Sequence, residues 1–425
     1  MSLLLLTLLA LAAALPPSAG WLARLPDGET KRKFILDCTG CHPFDEKIAL
    51  VDGRSRTEAE WAEAVTRMLG YAGARTSFPV IAWDREAKST AAWLARHSQK
   101  SPSEVVFPVA AQAEITEFMM PEPGDLPHDL AIERSGSVLV TGMFTHVLYR
   151  LDPSLGRFTS IPIPVEKANP RAIDIDSLGR VWLVLGAPNK LAVMERDSVW
   201  RSFDVGMYPH SLAIGSGGRV WFNGHFTYSP ELIGHVEAAS GRVATHEVPA
   251  HPTLGKGPGG PIPYELRVGP DGRVWGSELA GNRIFAFTPG NRRFEVFSLP
   301  TPHSGPRRFD VDSKGIVWIP AYAANLLVRF DPASGIFSEI PLPVRDAVPY
   351  IVRADRQSGA LWIGTGAADA LFRYDPATRQ FETYRLPSQG ALVRHLAIDS
   401  RNGTVWAAYG ASPGIPARIA RVQRR

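Results

Sequence analysis

From about residue 113 onward, apolar and polar positions alternate in runs of five or six residues, each cut by Gly, Pro, Asn or Asp. Alternation of period two, bounded by turn residues, predicts short strands. The runs also recur as a unit. Each unit opens on Pro-x-x-apolar-x-apolar, crosses a Gly turn into a Val-Trp strand, passes a corner rich in Asn or Ala, and ends in Leu-Pro or Ile-Pro. Openings stand at Pro127, Pro170, Pro209, Pro263, Pro306, Pro349 and, without the proline, Val393. The second-strand aromatics are Trp182, Trp221, Trp275, Trp318, Trp362 and Trp406, with Leu139 in the first copy. They lie 39 to 44 residues apart, except for one interval of 54 that holds a Gly- and Pro-rich insertion at 250–261. Seven copies of four short strands predict a seven-bladed β-propeller. Turns at 331–335 and 375–379 supply the hairpin chemistry between outer strands. Residues 114–118 are the expected closing strand, donated to the last blade so that no edge stays free.

Between residues 29 and 99 the apolar period is helical. Thr57 and Glu60 form a capping box, and the helix they open carries Trp61, Val65, Met68 and Leu69 on one stripe before a stop at 70–73. A second helix is expected over about 84–97, with Trp93 and Leu94 facing inward. Residues 3–15 are a nearly unbroken Leu/Ala run followed by Pro16-Pro17-Ser18-Ala19-Gly20, which reads as an export leader with a small-residue cleavage site. The run is short for a membrane span, yet no Lys or Arg precedes it, so an uncleaved anchor is the alternative. The expected division is a leader at 1–20, a small all-α unit at 21–105, and an all-β propeller at 106–425.

Composition narrows the partners. The formal net charge is +4 with acids and bases interspersed, which excludes a nucleic-acid footprint. The chain has only two cysteines, and they stand in Cys38-Thr39-Gly40-Cys41-His42. Cys-x-x-Cys-His is the spacing of covalent c-type haem attachment, with two thioethers and His42 as the iron ligand on one face. A thioredoxin-like pair would need a βαβ context, zinc would need further ligands nearby, and a disulfide would leave His42 unexplained. The order of haem motif, amphipathic helix, loop and final helix resembles a small class I cytochrome c, as in the modules fused to periplasmic dehydrogenases. That resemblance implies one covalent haem c, maturation after export to a bacterial periplasm, and a redox partner protein. Met68 is the candidate for the opposite axial position. Packing on the Trp61 stripe, His97, or an open position are the alternatives.

In the repeat, the second residue of each opening falls where an innermost strand begins. These residues are His128, Arg171, His210, Tyr264, Arg307, Tyr350 and Arg394. Seven large polar groups, three of them guanidiniums, suit a concave mouth that binds a small anion. They could instead neutralise acids such as Asp129 and Glu265, or cap the blade interfaces, because period two puts them on the parity of the core Leu and Ile.

The blades also resemble the virginiamycin B lyase family. The resemblance rests on Gly269-Pro-Asp-Gly-Arg-Val-Trp275-Gly-Ser-Glu278-Leu-Ala-Gly-Asn282-Arg-Ile284 and, in part, on Val220-Trp221-Phe222-Asn223. It spans roughly 113–423 and implies a propeller in which carboxylates hold magnesium and a histidine acts as base. Glu278 is the one glutamate retained from that motif, and His210 matches the family's Pro-His opening. Three functions follow. A haem electron-transfer protein would carry a propeller for an anionic ligand, as part of a cytochrome-linked oxidoreductase. A carbon–oxygen lyase would use His210 and a metal near Glu278, with an accessory haem. A docking platform would present the cytochrome to a partner.

Overall fold

The computed structural model describes residues 17–71, 86–98, 100–196, 199–255, 260–410 and 415–425. The apolar run at 3–15, Gly73 and the expected first residues of the second helix lie outside them. Seven four-stranded antiparallel sheets are arranged as the blades of a propeller. Blade four, for example, runs through Pro263–Val268, Val274–Glu278, Arg283–Thr288 and Arg293–Ser298. In every blade the second strand is buried at almost every position, because neighbouring blades cover both of its faces. Outer strands such as Arg157–Pro162 keep the partly exposed pattern of a rim. The repeated tryptophan is tied to the turn before it: Trp182 Nε1 donates to Asp176 at 3.0 Å, and Trp318 Nε1 to Asp312 at 2.9 Å. The corner asparagines Asn189, Asn282 and Asn325 adopt φ of 56°, 53° and 57°, a left-handed conformation that Asn tolerates best after Gly.

Blade seven closes the ring with a strand from ahead of the first copy. Ala113–Met119 pairs antiparallel with Arg418–Arg424, placing Ile115 opposite Val422. Blade five departs from the repeat. Its innermost strand is only Asp310–Val311, because the preceding peptide turns to the next blade. There the Arg308 amide donates to the Tyr350 carbonyl at 3.2 Å, and the Val352 amide to that of Arg308 at 2.9 Å.

The amino-terminal part forms helices α1 (Ser18–Leu22), α2 (Glu29–Cys38), α3 (Glu46–Ala49), α4 (Glu58–Tyr71) and α5 (Ala87–His97). The capping box is present: the Glu60 amide donates to Thr57 Oγ1 at 3.3 Å and the Thr57 amide to Glu60 Oε2 at 2.8 Å. An aromatic chain joins α2, α4 and α5, with Phe34 5.2 Å from Phe44 and 5.7 Å from Trp93, and Phe44 6.3 Å from Trp61.

Two sequence expectations change here. The helices do not form a separate all-α cytochrome unit with its own core. Trp21, Phe34, Trp61 and Leu94 belong to one hydrophobic cluster with Tyr264, Tyr350, Trp362 and Leu396 of the propeller. Polar anchors complete the docking: Lys31 Nζ meets Asp346 at 2.8 Å, and Arg32 Nε donates to the Pro302 carbonyl at 2.8 Å. The expected leader boundary at residue 20 falls within α1, whose five residues are all buried.

Candidate functional site at the propeller mouth

A bulge in the innermost strand decides where the second residue of each opening points. In a regular strand His128 would share a face with Leu130 and Ile132. The register instead slips between Pro127 and Leu130 in blade one, and at the matching place in blades two, three, four, six and seven. A bulge re-aims the side chains around its extra residue. As a result His128, Arg171, His210, Tyr264, Tyr350 and Arg394 line one cavity of about 50 Å³, joined by Arg307 from the shortened opening of blade five, and all seven are buried.

A second lining position escaped the reading of the repeat. In four blades the residue just past the second strand also reaches the mouth: Met143, His225 and Leu279 line the cavity, and the Arg307 guanidinium lies 3.9 Å over the Tyr322 ring. Its fixed place after the Val-Trp strand was the available signal, hidden because that corner reads as a turn.

Two imidazoles from blade three stack here, His210 on His225 at 4.3 Å. His210 Nδ1 lies 2.8 Å from the Tyr264 carbonyl oxygen and His225 Nδ1 2.8 Å from that of Pro263. A carbonyl only accepts, so both Nδ1 atoms carry the proton and both Nε2 atoms are left as acceptors. Burial, the neighbouring His225 and Arg171 hold His210 well below the usual histidine range. Burial and Arg171 bring His225 down to about 3.

Of the ring arginines, Arg307 and Arg394 do not neutralise the nearby acids. Asp129 takes Arg308 at 2.7 Å, and Glu265 takes Arg267 at 2.7 Å and Arg353 at 2.9 Å, so a deeper layer of the channel is paired within itself. Arg307 lies against the rings of Tyr264, Tyr322 and Tyr350 and donates Nη1 to the Tyr264 hydroxyl at 3.0 Å. Arg394 donates to the Tyr350 hydroxyl at 3.4 Å. Among the described residues neither Arg307 nor Arg394 forms a salt bridge, and the Nε of each is buried without a partner.

The Cys38–His42 motif lies directly on this mouth. Arg394 donates to the carbonyls of Gly40 at 3.1 Å and Cys41 at 2.9 Å, and Thr39 Oγ1 is 2.8 Å from the Tyr322 hydroxyl. A Cβ on Gly40 would stand 2.8 Å from Arg307 Nη2, so a larger residue there would have to displace the guanidinium. Gly40 and Cys41 both line the cavity. Cys38 and Cys41 are not joined in a disulfide, and His42 Nδ1 lies 3.0 Å from the Pro43 carbonyl. That contact puts the His42 proton on Nδ1 and leaves Nε2 available, the arrangement that metal-ligating histidines adopt.

Met68 and Glu278 stand elsewhere. Met68 is 40% exposed on α4 and outside the cluster that holds Trp61 and Val65, whereas Leu69 packs against it, so the apolar stripe runs through Leu69 and leaves Met68 at its edge. Glu278 is not among the cavity's lining residues. Its carboxylate is fully buried in blade four and gripped by Arg283 at 2.6 and 2.7 Å. Strand alternation separates it from the mouth, where the next residue, Leu279, points instead. The expected pairing of His210 with Glu278 is therefore not formed. Among the described residues no group of three or more His, Cys, Asp or Glu is placed to hold a metal ion.

Residues 257–422 match the model of the Virginiamycin B lyase family. Virginiamycin B lyase from Staphylococcus aureus superposes with a TM-score of 0.65 at 21% identity, over 74% of this chain and all of that one. A streptogramin B lyase structure gives 0.64 at 21% identity, over 74% of this chain and 98% of that one. The RRP9 WD40 repeats give 0.60 at 11% identity, over 76% of this chain and all of that one, which marks how widely the architecture is shared. No curated protein matches the chain. The chain thus carries a seven-bladed, virginiamycin B lyase-like propeller, with the family match in its carboxyl-terminal half.

Proposed function

We propose that the propeller mouth is a lyase-like reaction site for a small anionic ligand. The observation that carries this is the meeting of seven opening residues in one cavity that holds two buried guanidiniums without carboxylate partners. Guanidiniums of this kind take a carboxylate or phosphate bidentately. A cavity of about 50 Å³ holds only a few water-sized groups. With residues 39–41 docked, the site thus admits the anionic group alone, and a larger ligand must lift that segment. His210 Nε2 would accept the proton from a carbon beside a carbonyl. The electron pair left behind forms a C=C bond, the C–O bond on the next carbon breaks, and the departing oxygen takes up a proton. An anion among the arginines offsets the positive field on His210, so its basicity rises when ligand binds. Glu278, held by Arg283, does not fit as a magnesium ligand, and no step here runs through a metal. The test is a screen of β-acyloxy carboxylates for unsaturated product by mass spectrometry. Turnover should be lost in His210→Ala, and full turnover in that variant would overturn the assignment.

The Cys-x-x-Cys-His spacing and the His42 tautomer favour a second reading of the same chain: Cys38 and Cys41 carry one haem c by thioethers, and His42 Nε2 ligates its iron. When attached, the haem supplies one-electron transfer, with its anchor points at the mouth. This reading places the protein in the periplasm beside a redox partner protein. Haem staining of a denaturing gel should follow the matured polypeptide. A Cys38→Ala, Cys41→Ala protein that kept its covalent haem would refute it.

A further inference from the structure

We infer that Tyr350 is the proton donor to the leaving oxygen in the mouth; this rests on the reading of the mouth as a lyase site. The hydrogen bonds around its hydroxyl carry the inference. Arg307 Nη1 donates to the Tyr264 oxygen at 3.0 Å, so the Tyr264 proton is directed to Tyr350, whose oxygen lies 2.6 Å away. Arg394 Nη1 donates to the same Tyr350 oxygen at 3.4 Å. With both neighbours donating to it, the hydroxyl's own proton is left the cavity that Tyr350 lines. Elimination needs two proton-transfer groups of opposite sense, and His210 can only accept.

The groups packed against Tyr350 favour its phenolate. Arg307 and Arg308 face it from blade five, Arg394 from blade seven, Tyr264 from blade four, and Tyr322 from the corner of blade five. The docked motif adds Asp37 and Cys41 to the same cavity. Burial pushes the phenol up, but Arg307, Arg394, Arg308 and the Tyr264 hydrogen bond outweigh it and bring Tyr350 down to about 8. Burial and the neighbouring Tyr350 push Tyr264 the opposite way. At neutral pH Tyr350 thus holds a proton that it releases readily. In the reaction the phenol O–H bond breaks, the proton passes to the departing oxygen as the C–O bond opens, and the phenolate remains against the two guanidiniums. The proton taken by His210 leaves through solvent, and Tyr350 is reprotonated from it.

Two measurements test this on the full-length protein. Absorbance at 295 nm, titrated with pH, should show one tyrosine of the ten ionising near pH 8. That step should vanish in Tyr350→Phe and move upward in Arg394→Gln. Ionisation of all tyrosines together near 10, or a step that persists in Tyr350→Phe, overturns the inference. On matched substrates, Tyr350→Phe should slow loss of an alkoxide by ~100-fold while changing loss of p-nitrophenolate, which needs no proton, by less than about twofold. Equal losses on both would make Tyr350 structural. A wild-type protein that turns over neither substrate overturns the lyase reading and the proton transfer with it, while the titration alone still decides the ionisation.

Discussion

Replacing Arg394 with alanine should release the Cys-x-x-Cys-His segment from the propeller mouth. The side chain makes two hydrogen bonds to that segment, at 3.1 Å to the Gly40 carbonyl and 2.9 Å to the Cys41 carbonyl. Bonds from a charged donor are worth about 1.5–3 kcal/mol each, and both are only partly buried, so the low end applies. Together they contribute ~3 kcal/mol to docking, which corresponds to about two decades in the local opening equilibrium. Hydrogen exchange followed by mass spectrometry reads this directly, because local opening governs exchange where global unfolding does not intervene. In the variant, peptides covering 35–42 should exchange faster by roughly that factor, while peptides from the second strands stay protected. The remaining anchors, Lys31 to Asp346 and Arg32 to Pro302, should hold the amino-terminal half of α2. Unchanged exchange over 35–42 would show that the apolar cluster and the Thr39–Tyr322 hydrogen bond dock the segment without Arg394. Equal acceleration throughout the propeller would show that Arg394 instead supports the whole fold.

Glu278→Gln should destabilise the protein by about 3 kcal/mol or more, because it leaves Arg283 buried without its charge partner. Denaturant midpoints check this, and a selective loss of turnover at unchanged stability would return Glu278 to the catalytic machinery. Met68→Ala should shift stability by no more than about 0.5 kcal/mol, as for an exposed side chain, and should leave the spectrum of the haem-matured protein unchanged. Loss of a methionine charge-transfer band in that variant would instead make its sulfur an axial ligand. In a histidine NMR titration, His225 should stay neutral down to about pH 3, because burial and Arg171 oppose its protonation. Added phosphate should move that midpoint upward by offsetting the guanidinium charge. A midpoint near the ordinary 6.5 without phosphate would contradict the buried geometry.

The sequence by itself determined the propeller, its number of blades and its closure, because each depends on contacts between residues near in the chain. Turn glycines, corner asparagines and the Asp-to-Trp tie of blades two and five act within about six residues, and the recurrence of the whole unit multiplies a weak local signal sevenfold. The capping box of α4 is legible for the same reason. The opening residues, too, could be picked out as a set, since one register position recurs in every copy. Tertiary structure decided what those residues face. The bulges that turn His128 and its equivalents into the channel depend on pairing with the next strand, and strict alternation predicts the core face instead. Arg308 and Asp129 are 179 positions apart and meet only because the ring closes, so which arginines neutralise acids could not be read along the chain. The placement of the Cys-x-x-Cys-His motif was decided in the same way. Its spacing was legible in the sequence, but its seat on the mouth comes from apolar surface that the helices cannot bury among themselves and share with Tyr264, Tyr350 and Leu396 of the propeller. Burial of such surface is non-directional, and only the folded ring supplies a face of the right shape to receive it.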